Sequence, residues 1–132
     1  MHKAVFTAKL DNLEPMLDFI EQIAKEIGFD TSRLNQIRLA SEEALVNIIN
    51  YAYPDKRGNI EIACVKDEKR LLLEIIDCGI PFNPLLLPEP DIKSPMEKRK
   101  IGGLGIYLVR SIMDSVDYRR NENRNILTLT KS

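Results

Sequence analysis

Histidine and cysteine are scarce in this chain of 132 residues, which holds one of the first and two of the second. His2 stands at the amino terminus without neighbours, and Cys64 and Cys78 lie inside apolar runs whose spacing matches no metal-ligand pattern. A zinc site and a histidine-based triad are therefore not expected. Charge of one sign is missing as well. The 19 basic and 20 acidic residues leave a formal charge of -1, so no global field gathers nucleic acid or an anionic membrane. Long apolar runs are also absent. The opening MHKAVFTAKLDN has no roughly 7- to 15-residue apolar core of the signal-peptide kind, and no stretch approaches the length that crosses a bilayer. The expectation is a cytoplasmic protein without a membrane or direct nucleic-acid partner. It is one domain over 1–132, since this length suffices for a single core.

The patterning that is present reads as an alternation of strands and helices. KAVFTAK alternates polar and apolar, as a first strand does. Asp11 or Asn12 then caps a helix whose Leu13, Met16, Leu17, Ile20, Ala24 and Ile27 recur at three- and four-residue steps, and Gly28 supplies a left-handed end. Thr31 or Ser32 opens a second helix that runs to about Tyr53, where Pro54 stops it. IEIACV and RLLLEIID, separated by KDEK, form an antiparallel hairpin, and the second run is apolar enough on both faces to be central in its sheet. From Cys78 to Gly103 the pattern gives way to glycine, proline and charge, too long for a connection without a function. A third helix starts near Leu104, and VDYRR and NILTLTK close the chain as two strands.

Three places carry chemistry. On the second helix Glu43, Asn47 and Asn50 fall on one stripe, because successive residues turn by roughly 100°. A carboxylate there can accept a proton from an attacking hydroxyl, and an amide oxygen suits Mg²⁺, which keeps most of its water. Taken alone, the stripe is equally what any amphipathic helix shows to solvent. The second place is Asp77 at the end of a buried strand, followed by Gly79. It can accept a hydrogen bond from the exocyclic amine of a flat ring while the glycine lets the ring approach, although a solvated strand-end aspartate beside a turn glycine is common. Adenine answers that description. Third, Gly102, Gly103, Leu104 and Gly105 sit at the mouth of the last helix, where free amides and the helix dipole favour phosphate. Lys98, Arg99 and Lys100 precede them, and a lysine-rich loop also serves solubility.

In this order, Glu43 with Asn47, Asp77 with Gly79 and Phe82, then Gly103 with Gly105, the residues resemble the N box and the two glycine boxes of the GHKL ATPase and kinase superfamily. The strings SEEALVNIINYAYP, DCGIPFNP and GGLGIYLV are similar to those of its anti-sigma-factor serine/threonine kinases, and the resemblance covers residues 3 to 131. It implies an α+β Bergerat fold: a two-layer sandwich whose mixed, mostly antiparallel sheet carries helices on one face. ATP would lie between helix and a lid formed by residues 83–101. Glu43 would be the base, Asn47 the Mg²⁺ ligand and Asp77 the adenine acceptor, with Gly79 giving the ring room and Phe82 beside it. Gly102, Gly103, Leu104 and Gly105 would wrap the phosphates, and Thr128 would complete the adenine pocket. Arg99 and Lys100 are candidates for the γ-phosphate clamp.

The resemblance further implies an anti-sigma factor that phosphorylates an anti-sigma-factor antagonist protein and sequesters a sigma factor, as a homodimer. The alternative within the same fold is a switch that binds ATP to change its affinity for a partner without turnover. A histidine-kinase fragment is the third reading, and the 30 or so residues before the second helix leave no room for a dimerisation hairpin.

Overall fold

The computed structural model describes residues 1–86 and 103–132, with Gly103 and Leu104 as backbone only. Of the expected lid, residues 87–101 lie outside the described residues, and so does Gly102. Lys98, Arg99 and Lys100 fall there too.

Among the described residues, five strands and three α-helices follow in the order β1 (His2–Thr7), α1 (Leu13–Ile27), α2 (Thr31–Tyr51), β2 (Asn59–Asp67), β3 (Arg70–Asp77), α3 (Gly103–Ile112), β4 (Ser115–Asn121) and β5 (Arg124–Lys131). The sheet order is β1-β2-β3-β5-β4, which puts β3 in the centre as its apolar sequence requires. Every pairing among the described residues is antiparallel, so the sheet is the expected mostly antiparallel one without a parallel pair. The reason is the path after α3. The chain returns at the edge as β4, running in the direction of β3, then turns back and inserts β5 between the two. The turn that does this has Glu122 and Asn123 at φ 50° and 67°, the pair of left-handed residues that a tight hairpin of the correct twist demands.

Side-chain parity decides which face is covered. Cross-strand rows Ile62, Ile75, Leu127 and Cys64, Leu73, Leu129 point into the core with α1 and α2. The next row on that face is Ile60, Asp77, Asn125, so the core ends in a polar pair. The opposite face carries Ala63, Glu74, Thr128 and Asp117 in one row, with Glu74 paired to Arg119 at 3.7 Å. Helix α1 contributes Met16, Leu17, Ile20, Ile23 and Ala24 to the core and ends at Gly28, whose φ of 103° lets its amide reach Ala24 and Lys25. The cap of α2 is Asp30, one residue earlier than expected, its carboxylate accepting from Arg33 N at 2.9 Å. Arg38 then ties α2 to α1 through Glu14, Asp18 and Glu21.

The far end of α2 is fastened to the sheet. Tyr53 Oη donates to Asn59 O at 2.6 Å and accepts from Cys78 N at 2.8 Å, joining the start of β2 to the exit of β3. Its ring fills the space above Gly58, where a Cβ would come within 2.1 Å of it. Tyr53→Phe keeps the ring and orphans both backbone groups, which costs about 1–3 kcal/mol. Urea unfolding should show a lower midpoint with an unchanged slope. An unchanged midpoint would mean that solvent already serves these two groups.

Candidate functional site

Helix α2 has a face for each neighbour. Ile37, Leu45 and Ile48 point into the core, Arg38 toward α1, and Glu43 toward α3. Glu43 is half-buried, and burial, followed by repulsion from Glu42, raises its carboxyl above the ordinary glutamate value. One turn on, Asn47 is only 3% exposed and its Nδ2 has no hydrogen-bond partner among the described residues. A buried orphan amide in a native core calls for an explanation. Because the two ends of a carboxamide are assigned by their partners, the unpaired end offers either a donor or an oxygen to a ligand. Asn50, half-buried, completes the stripe.

At the exit of β3, Asp77 is 3% exposed and accepts from Gly79 N at 2.9 Å and Asn125 Nδ2 at 2.8 Å. Both bonds fall on Oδ1, and among the described residues none donates to Oδ2. Burial raises the Asp77 carboxyl, against the lowering by Asn125, the Gly79 amide and the Arg120 charge. Gly79 is glycine for a reason other than room for a ring. A Cβ there would lie 2.0 Å from Ala52 O, the same carbonyl that accepts from Ile80 N at 2.9 Å. The turn is thus pressed against the end of α2. Phe82 stacks on Tyr51 with ring centroids 5.3 Å apart, a second tie between that helix and the turn.

Asn125 was not anticipated, and it organises this end of the site. Its Nδ2 donates to Asp77 Oδ1 and to Ile80 O, while its Oδ1 accepts from Tyr118 Oη at 2.5 Å, Arg120 Nη1 at 3.2 Å and Phe82 N at 3.3 Å. With donors and acceptor all engaged, the amide can sit only one way round, and it turns Asp77 so that Oδ2 is left over. Thr128 is on the other face of the sheet, between Glu74 and Asp117. The signal lay in the period of two. Counted back from Leu127 and Leu129, Asn125 shares the core parity, and Thr128 does not.

Helix α3 begins at Gly103, so its first turn, whose amides have no partner within the helix, falls on the glycine segment. Gly105, buried in that turn, meets Glu43. The structure therefore brings Glu43 and Gly105 together directly, and Asp77, Gly79 and Phe82 together through the end of α2. No group of three or more His, Cys, Asp or Glu that could hold a metal ion occurs among the described residues. An ion such as Mg²⁺ would be held through Asn47 and ligand oxygens, the manner usual for that cation. Both the orphan amide and the spare aspartate oxygen fit a nucleotide with such an ion.

The histidine kinase-like ATPase domain model matches residues 6–131. The serine-protein kinase RsbW of Bacillus mycoides is 31% identical over 109 residues, which are 80% of this chain and 68% of that protein. Its counterpart in Bacillus anthracis is 30% identical with the same coverage. Among solved structures, the RsbU and RsbW domains of Rv1364c from Mycobacterium tuberculosis superpose with a TM-score of 0.66 at 17% identity, over 99% of this chain and 32% of that one. The catalytic domain of histidine kinase ThkA gives 0.56 at 16% identity, over 99% and 95% of the two chains. These two likenesses bear on the fold alone. The family match over residues 6–131 and the RsbW relatives establish that the chain belongs to the histidine kinase-like ATPase family, on its branch of anti-sigma-factor serine kinases.

Proposed function

We propose that the protein binds Mg-ATP and transfers its γ-phosphoryl group to a serine of an anti-sigma-factor antagonist, and that it holds a sigma factor when not so engaged. It would do so in the cytoplasm and as a homodimer. The observation that carries the reading is that one helix, α2, joins both halves of the site: Glu43 faces the glycine turn of α3, and nine residues on Ala52 is bonded into the turn after Asp77. At about 1.5 Å per residue this is roughly 13 Å along the axis, a span suited to a nucleoside triphosphate.

In this reading Asp77 Oδ2 accepts from the adenine amine while Asn125 holds Oδ1. Asn47 holds the ion, which supplies charge neutralisation on the phosphate oxygens. The first-turn amides of α3 face the phosphates. Glu43 takes the proton of the serine hydroxyl as its oxygen attacks, and its raised affinity for a proton makes it a stronger base than a solvated glutamate. Calorimetry should show ATP binding that requires Mg²⁺ and exceeds GTP binding. Mass spectrometry should then find one added phosphate on a serine of an antagonist protein from the same genome. Binding without transfer to any such protein would leave the ATP-dependent switch as the function, and no binding would end both readings.

A further inference from the structure

Gly105 has no conformational reason to be glycine. It lies within the helical run of α3, and Gly28 is the one described glycine with a positive φ. A glycine inside a helix destabilises it relative to alanine, so another requirement must keep it there. The space its side chain would take is filled by Glu43. An ideal Cβ on Gly105 would lie 2.5 Å from Glu43 Oε2, 3.4 Å from its Cδ and 3.5 Å from its Cβ. The contact follows the Glu43 side chain from root to tip, which constrains its rotamer as well as its end.

We propose that Gly105 is a positioning residue for Glu43, its missing side chain being the seat in which the Glu43 carboxylate is held. The catalytic consequence rests on the kinase reading above; the seat does not. A glycine kept to present its amide to phosphate is needed for a group that alanine retains. One kept as a seat is needed for a volume that alanine fills.

Four proteins decide between these roles: wild type, Gly105→Ala, Glu43→Asp and the double variant. Each is read for its thermal midpoint, its ATP affinity and its turnover on the antagonist substrate. Gly105→Ala displaces the free end of the Glu43 side chain at little cost in stability, so the midpoint should fail to rise by the few degrees that alanine at an unhindered helical site would add. Turnover should fall about 10- to 100-fold, the scale expected for a displaced reacting group, with ATP affinity nearly unchanged. Glu43→Asp withdraws the carboxylate by one methylene and leaves room for a Cβ. Adding Gly105→Ala to it should then leave turnover where Glu43→Asp put it and raise the midpoint. Equal losses in the two backgrounds would overturn the seat, as would a loss concentrated in ATP affinity. If the wild-type protein transfers no phosphate, the kinase reading falls, and the two midpoint differences still decide whether Gly105 seats Glu43.

Discussion

Glu43→Ala should slow phosphate transfer to a partner serine by about 10²- to 10⁴-fold, the usual contribution of a general base, and leave ATP affinity close to that of the wild type. Glu43 lies within α2 where it faces α3, nine residues before the Ala52 that is bonded into the turn after Asp77, so it is not placed to take part in adenine recognition. Its charge would repel the γ-phosphate without an intervening cation, so removing it does not weaken ground-state binding. Glu42, offset by roughly 100° on the helix, is the control and should tolerate alanine. Burial raises the Glu43 carboxyl, so the acid limb of the turnover profile should sit above the ordinary glutamate value of about 4.3 and vanish in the variant. The linkage to stability has the opposite sign. A carboxyl with a raised folded-state pKa stabilises the fold below its unfolded value and loses that contribution as pH rises through the folded one. At neutral pH the loss of Glu43 should therefore not unfold the protein. Equal activity losses at Glu42 and Glu43 would point to damage of α2 and exclude the base assignment.

Asp77→Asn should weaken ATP binding by about ten- to a hundred-fold and GTP binding far less, because a bond to a charged acceptor contributes about 1.5–3 kcal/mol. The substitution is close to isosteric. An asparagine oxygen in the Oδ1 place still accepts from Gly79 N and Asn125 Nδ2, so the turn keeps its geometry, while the position of Oδ2 becomes an NH₂ that opposes the adenine amine. The carboxylate is nearly buried, and burial is the largest influence on its pKa. Removing its charge should leave stability at neutral pH equal or higher, the pattern of a site that sacrifices stability for ligand recognition. Calorimetry with both nucleotides and a thermal melt decide the matter. Unchanged ATP affinity would remove Asp77 from the adenine site, and a collapsed melt would make it a structural residue.

Local periodicity made the helices, the β2–β3 hairpin and the central place of β3 legible. The helices rest on steps of three and four within one segment, as in Met16, Leu17 and Ile20, and the central place of β3 on a run that is apolar on both faces, RLLLEIID. Gly28 was legible because a left-handed helix end leaves little choice of residue. Partnerships between distant segments were not. That Asn125 stands opposite Asp77 depends on the β3–β5 register, which is set by the return of the chain through β4 and by no single window of sequence. The reason for Gly79 was likewise hidden, since the carbonyl it avoids belongs to Ala52, 27 positions earlier. Glycines in a recognisable box invite a ligand-based explanation, yet both Gly79 and Gly105 are first constrained by protein atoms.

Helix α2 is secured near its start by Arg38 to three carboxylates of α1, and at its end by Tyr53 and the Ala52 carbonyl to the sheet. A rod fixed at both ends acts as a ruler. The distance between Asp77, proposed to read the base, and Glu43, proposed to meet the hydroxyl, is set by the protein, and a ligand cannot readily draw the two together. A nucleotide shorter by one phosphate would then fill the Asp77 end and leave the Glu43 end without its reacting atom, so length, and not affinity for the base, tells spent nucleotide from fresh.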